Sequence, residues 1–274
     1  MVVVRHRESG EAIARFDIDG LSGAWLARTT LAYADLRHVD VSNADLRHAD
    51  LCNADLRGAR FDGSTLTGAD ATLSDSVGAR FAKARLDDAR LQGMNKRHRG
   101  VVGIDFRGAD MTRITLKNSN LAGSIFANGI LRRADLTRCN LRDADLSGAD
   151  LSDACLAMAN LSGAKLDHAS LVGAVLNGAN LEGGSLVGAD MTLATLNGVR
   201  LAGADLTNTR WSKTSLARVV GLESVHGLDT IRFGDPSAID VHTLRASIAA
   251  LPSTLLERCG VDDALAAVLR LRPE

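Results

Sequence analysis

The sequence predicts an all-β solenoid, a chain wound into a four-sided β-helix. Three observations predict it: a large apolar residue recurs at every fifth position, a small residue lies two positions before it, and most glycines share one phase of the repeat. The repeat runs from Phe16 to Leu216, and 38 of its 41 central positions hold Leu, Phe, Val, Met or Trp. The small residue is Ala in 24 of the 41 units.

A period of five fits neither a straight helix nor a straight strand. On an α-helix, five residues rotate the side chain by about 140°, so the large residues would spiral around every face. On a strand, side chains alternate with a period of two, so successive large residues would point to opposite sides. Within one unit, the small and the large residue are two positions apart and share a face. The chain must therefore bend between units.

A bend of about a right angle at each unit closes a coil of about four units, whose small and large residues face a common axis. One large and one small inward residue per unit fill a narrow interior without overpacking it. Of the 26 glycines, 17 lie two residues after the central position, where a corner needs permissive backbone angles. Residues 16–218 then make about ten coils, a rod of about 48 Å at the usual strand spacing.

Two interruptions break the repeat. Ala71 and Ser76 place small residues at successive central positions, so that a coil is locally thinned or Leu73 and Val77 point inward in their place. An irregular corner is the preferred interpretation. Farther along, Lys96 and Arg99 fall at inward positions, which a dry interior cannot accept without partners. We therefore expect an extruded loop near 93–103, after which the repeat resumes in phase.

The two ends of the chain depart from the repeat. Residues 1–15 read as a β-hairpin that turns at Ser9-Gly10 and caps the first coil. After Val219 the repeat is lost, and residues 219–274 predict a helical cap or dimerisation segment. Asp235-Pro236 is the expected helix start.

Two further helices are expected in this tail. Pro252 can start a short helix that Gly260 ends, and Asp262-Asp263 favour the first turn of another. The candidate dimer or partner residues on these helices are apolar and follow helical spacing: Leu255, Leu265, Val268 and Leu269.

Units such as Ala44-Asp45-Leu46, Ala54-Asp55-Leu56 and Ala144-Asp145-Leu146 carry a resemblance. The sequence resembles the pentapeptide-repeat family over about three quarters of its length. The resemblance implies a right-handed quadrilateral β-helix. It also implies a function, because some members resemble duplex DNA in width and negative charge and protect bacterial gyrase or topoisomerase IV from quinolones or other poisons. Several of these members are dimers through C-terminal helices and carry loops that interrupt the coils.

No pattern in the sequence indicates catalysis. His38 and His48 each lie two residues from an Asp, but ten residues are half a coil, so the two histidines fall on opposite faces. The four cysteines form no C-x-x-C pair, which predicts free thiols and no metal site. Neither a signal peptide nor a membrane span is recognisable, so we expect a cytoplasmic protein that is not an enzyme and binds no cofactor.

The formal net charge is −1, but the charge is uneven along the rod. Residues 14–75 and 143–205 are net negative, whereas residues 76–142, the basic waist, hold 14 basic and 5 acidic residues. The waist is either a solvated surface of ion pairs or a binding site. The candidate interaction residues lie on its loop: Lys96, Arg97, His98 and Arg99.

Three functions remain open, of which the first is preferred. The chain is a rigid rod that binds a protein partner, or a second copy, through its faces, loop and helical tail. Alternatively, it mimics DNA and protects a type II topoisomerase, although a positive mid-rod departs from that pattern. A third alternative is the binding of anions or nucleic acid at the waist, which would be sensitive to salt.

Overall fold

The computed structural model describes residues 1–249 and 251–262. Along most of the chain, parallel bridges join residues twenty positions apart, such as Trp25 with Asp45 and Asp45 with Thr65. One coil therefore consists of four units of the repeat. Most faces are held by single bridges rather than by long strands. The β-helix that the repeat predicts is confirmed.

The interior holds the central and the small residues. Leu46, Leu51 and Leu56 have no exposed surface, and Ala54 between the last two is equally buried. Four phenylalanines form one stack along the axis, with ring centroids about 5 Å apart: Phe61, Phe81, Phe106 and Phe126. A fifth phenylalanine of the same phase, Phe16, is only half-buried, since it lies at the end of the rod.

The corner residue of each unit adopts the left-handed backbone conformation. At this position φ is 59° for His38, 60° for Leu73 and 66° for Gly58. A large corner residue leans over the corner of the next coil, which is often glycine. A Cβ at Gly58 would lie 2.4 Å from His38 Nδ1, and a Cβ at Gly93 would lie 2.8 Å from Leu73 Cδ2. These glycines thus leave room for the side chain one coil earlier as well as forming the turn.

An antiparallel hairpin covers one edge of the first coil. It consists of β1 (Val2–His6) and β2 (Ala12–Phe16), and β1 also pairs with β3 (Ala34–Asp35), so the sheet order is β2-β1-β3. Arg7 continues this contact, because its backbone N–H donates to Tyr33 O at 2.8 Å.

The five-residue repeat is lost after Val219, as expected, but the coil continues, so the expectation that residues 219–274 form a helical segment is wrong for its first part. Parallel bridges stack four later residues on the preceding coil: Val220, His226, Arg232 and Ala238. The units lengthen to six residues because short 3-10 helices at Leu222–Ser224 and Leu228–Thr230 occupy two of the corners. The strands of this end are β4 (Thr195–Asn197), β5 (Arg210–Trp211), β6 (Ser215–Ala217), β7 (Arg232–Phe233) and β8 (Ala238–Ile239).

Within the described residues, two short helices follow this last coil. Helix α1 (Val241–Ser247) begins after Asp240, whose carboxylate accepts from Thr243 N, so the expected start at Asp235-Pro236 is wrong. That dipeptide lies between β7 and β8 in the last coil. Helix α2 (Ser253–Arg258) begins after Pro252 as predicted. Among the described residues, no helix is long and apolar enough to cross a membrane.

Candidate functional site

The first interruption of the repeat leaves the coil regular. Ala71 and Ser76 occupy the central positions and are almost fully buried, and Asp75 bridges to Asp55 twenty residues earlier. The predicted irregular corner is therefore wrong: the backbone keeps its course because small residues still fit inside. Leu73, at the corner between them, has a φ of 60° and a half-exposed side chain.

The second interruption adds five residues to one coil. Bridges that span twenty residues elsewhere span twenty-five here, as from Arg80 to Asp105 and from Arg90 to Thr115. The extra residues are extruded after Asn95. Met94 and Val102, on either side of them, point inward and are buried.

Two asparagines fix the segment that contains the five extra residues, residues 96–101, which we call the loop. Asn95 is buried, and its Oδ1 accepts from Ser76 N at 2.7 Å. From the next coil, Asn120 Nδ2 donates to the carbonyl oxygens of His98, at 2.8 Å, and Gly100, at 3.0 Å. The loop is thus tied to the coils below and above it, and its side chains project from a fixed base.

The loop presents three basic side chains to solvent. Lys96, Arg97 and Arg99 are exposed, and none of them forms an ion pair or a side-chain hydrogen bond with any residue that the structure describes. His98 turns back toward the rod, where its Nε2 lies 3.0 Å from Asp75 Oδ2. Of the predicted interaction residues, the histidine therefore helps to hold the loop while the other three face outward.

Most other basic residues of the waist are paired. Within the described part of the chain, 9 of the 14 form ion pairs: Arg80, Arg85, Arg90, Arg107, Arg113, Lys117, Arg132, Arg133 and Arg142. Arg107 shows the typical effect, since its guanidinium binds Asp105 at 2.7 Å and lowers the pKa of that carboxyl. The view of the waist as a solvated ion-pair surface therefore holds for most basic residues outside the loop, with Lys83 and Arg138 as exceptions among the described residues, and fails on the loop.

A cleft of about 170 Å³ lies between the loop and the N-terminal hairpin. Arg7 borders it on the hairpin side, with its guanidinium Nη1 donating to Asn53 O at 2.8 Å, and Lys96 and Arg97 border it on the loop side. Tyr33 and Leu73 form part of its floor. Sequence reasoning found the loop but missed the cleft, because nothing in the repeat shows that the hairpin turn lies beside it.

The candidate residues of the helical tail do not form a described surface. Leu255 is fully buried in the chain's own interior, which places it in the cap rather than on a face for a partner. The other three, Leu265, Val268 and Leu269, lie outside the described residues.

The cysteines are free, as predicted. All four thiols are unpaired. Burial raises the pKa of Cys139 to about 12, and that of Cys52 to about 12 as well. Neither thiol is ionised at neutral pH, so neither is an activated nucleophile. No group of three or more metal-binding side chains occurs among the described residues.

Comparison with known families agrees with this architecture. The model of pentapeptide repeats, in eight copies, matches residues 34–70, 59–95, 102–138, 126–157 and 159–198, together more than half of the chain. The chain belongs to the pentapeptide-repeat family. The matches leave out residues 96–101, which are the loop. No curated protein matches the chain.

Solved structures of the same family are similar to the chain. HetL, a protein involved in heterocyst differentiation regulation from the cyanobacterium Nostoc, is 27% identical, with 77% of this chain and 90% of HetL covered and a TM-score of 0.30. QnrB1, a plasmid-mediated fluoroquinolone resistance protein, is 19% identical, with 86% and 96% covered and a TM-score of 0.30. A protein of the Arabidopsis thaliana thylakoid lumen is 23% identical, with 49% and 69% covered and a TM-score of 0.18.

Proposed function

We propose that this protein is a non-enzymatic interaction module, a right-handed rod of about ten coils that binds a protein partner through its loop. One observation carries the proposal: Lys96, Arg97 and Arg99 have no ion-pair partner among the described residues, although most basic side chains around them do. An acidic surface of a partner would supply the missing carboxylates.

The rigidity of the loop base supports this role. Buried Asn95 and Asn120 hold the loop backbone, so binding does not have to order it first. Residues placed on a loop of a rigid scaffold are well suited to recognition. Like charges gathered at one place also speed the encounter with an oppositely charged partner.

A catalytic role has less support. His98 and Asp75 form a pair, but the nearby Ser74 is buried and its hydroxyl contacts Ser76 Oγ at 3.3 Å. A serine nucleophile would need its hydroxyl in contact with the histidine and open to a substrate. The pair instead serves to hold the loop.

The test is an affinity pull-down with this protein as the bait, in two double variants that change its net charge by the same amount. Arg97→Glu with Arg99→Glu alters the loop, whereas Lys83→Glu with Arg138→Glu alters two other exposed waist residues that lack ion pairs in the described structure. In extracts of the source cells, we expect the wild type and the Lys83/Arg138 variant to capture the same partner protein. The loop variant should not capture it. Equal loss in both variants would show that net charge alone matters and would refute a role for the loop.

Topoisomerase protection is the second candidate. A loop that interrupts the coils favours it, whereas the net positive waist opposes it, because a duplex mimic needs continuous negative charge. We expect a quinolone to inhibit DNA supercoiling by gyrase to the same extent with and without this protein. Relief of inhibition that depends on the loop would instead identify gyrase as the partner.

A further inference from the structure

We propose that the cleft between the loop and the N-terminal hairpin binds an acidic peptide segment that carries one apolar side chain. This proposal rests on the protein-binding role of the loop and names the part of the partner that the loop recognises. It brings the hairpin turn into the same site as the loop, although about ninety residues separate them in the sequence.

The size of the cleft suits a side chain rather than a free small molecule. Its volume is about 170 Å³. Pockets that enclose a drug-sized ligand measure about 300–1,000 Å³. A peptide lying across the cleft needs to insert only one side chain, and the rest of the segment then contacts the rims.

The floor is apolar where the fold does not require it. Tyr33 and Leu73 are corner residues of one column, with φ of 58° and 60° and exposed fractions of 43% and 50%. A left-handed backbone is strained for a residue other than glycine, and the strain is smaller for Asn or Asp than for Leu. Asn53, between them in the column, shows that a polar corner residue fits. The large apolar side chains thus add contact surface at a cost to the fold.

The polar groups of the cleft are complementary to an acidic segment. Lys96 and Arg97 have no carboxylate partner in the described structure, and Arg7 lies on the opposite side. The lining also includes the carboxylates of Glu8 and Asp75, so its three cations outnumber its two acids. Asp75 Oδ1 is buried without a hydrogen-bond donor among the described residues, while its Oδ2 contacts His98. Because that oxygen is buried, a ligand in the cleft does not reach it, and Asp75 serves to hold His98. Acidic side chains of the segment supply carboxylates for the cations.

The probe is a fluorescein-labelled peptide in which one phenylalanine is flanked by acidic residues, and the readout is fluorescence anisotropy at low and moderate salt. We expect saturable binding that weakens with salt, and weaker binding when glycine replaces the phenylalanine. No binding of the acidic peptide, or equal binding of both peptides, would overturn the proposal.

The protein variants locate the site on the rod. Leu73→Asn should weaken binding about tenfold, since it removes the apolar floor. Leu193→Asn is the matched control, because Leu193 is also a corner leucine, with a φ of 61° and an exposed fraction of 51%, but lies outside this cleft. Both substitutions relieve the same backbone strain, so both variants should melt at or above the wild-type temperature. Equal peptide affinity of the two variants would exclude the cleft.

The charge variants separate this proposal from the proposed function. Arg97→Glu should reduce peptide affinity, whereas Arg138→Glu should not. If Arg97→Glu weakens binding and Leu73→Asn does not, the loop still binds acidic partners, but the cleft proposal fails. A single-stranded oligonucleotide that binds more tightly than the peptide would replace it with nucleic-acid binding. If the loop variant loses its cellular partner but the peptide never binds, the proposed function stands without the cleft.

Discussion

Ser76 and Lys96 occupy equivalent positions in consecutive coils, twenty residues apart, and the structure treats them in opposite ways. Ser76 remains inside the rod, fully buried, and its backbone N–H donates to Asn95 Oδ1. Lys96 leaves the rod together with the four residues after it. The two interruptions looked similar in the sequence, since each replaces a large apolar residue at a central position.

The two residues are treated differently because Ser76 only removes side-chain volume from the interior, whereas Lys96 would place a charge there. A small residue at the centre costs some packing, which neighbouring side chains can partly recover. A buried charge without a partner costs far more, because the interior offers nothing to replace its hydration. The coil therefore absorbs the first kind of interruption and extrudes the second. On this view the loop exists because the chain cannot wind around Lys96.

The most disruptive test places a charge where the serine is. Ser76→Lys should lower the free energy of unfolding by about 3–5 kcal/mol, the effect of an uncompensated buried charge. Lys96→Ser, the reverse change one coil later, should alter it by less than about 0.5 kcal/mol, because the side chain is exposed. Both values come from chemical denaturation followed by circular dichroism. A tolerated Ser76→Lys would mean that the rod accommodates charge at its axis.

A pair of deletions tests whether the loop is a whole unit of the repeat. Removing residues 96–100 joins Asn95 to Val101 and restores an unbroken repeat, in which Val101 becomes a central residue. We expect this variant to fold with a melting temperature within a few degrees of the wild type. Removing residues 97–101 instead also deletes five residues and keeps the repeat in phase, but it leaves Lys96 rather than Val101 at the central position and should destabilise the rod strongly. Similar melting temperatures for the two variants would contradict the link between charge and extrusion.

The smallest effect concerns the ion pairs of the regular coils. The side chain of Arg107 lowers the pKa of Asp105 below its usual 3.8 in the folded protein. A carboxyl with a lowered folded-state pKa contributes stability above its unfolded-state pKa and loses it as the pH falls through the folded value. The melting temperature should therefore be level from about pH 8 to 5 and fall below about pH 4. Asp105→Asn should reduce the fall in melting temperature. If the melting temperature of this variant falls below pH 4 as much as that of the wild type, the Arg107–Asp105 pair contributes little to stability.

The sequence predicts the coil correctly wherever the five-residue repeat is present. The prediction failed where loss of the repeat was taken to mean that the coil ends. The period of five gave the central leucines, the small inward residues and the corners. After Val219 the units lengthen to six residues, so a search for every fifth residue no longer finds them, although His226 and Arg232 still bridge to the coil beneath. At residues 70–77 the sequence pattern predicted an irregular corner that does not form, because backbone hydrogen bonds hold the coil without a large central residue.

For the loop and its surroundings, too, one part was predicted from the sequence and another part was missed. Two inward charges in the repeat were enough to predict extrusion at Lys96 and Arg99. The anchoring role of Asn120 was missed, although asparagines recur at positions 120, 140, 160 and 180, which is a signal of stacking at one coil per step. Asn140 Nδ2 donates to Asn120 Oδ1 at 2.9 Å, so the ladder ends on the residue that holds the loop.

By itself, the sequence determined the coil, the inward residues and the place where the chain leaves the rod, because these depend on interactions within a unit and on the cost of burying charge. Only the tertiary structure decided which basic side chains are neutralised and that Arg7 and Tyr33 meet the loop across a cleft. Those outcomes depend on stacking between coils, where residues eighteen to twenty-five positions apart become neighbours, and on the antiparallel pairing of the first hairpin with Ala34–Asp35.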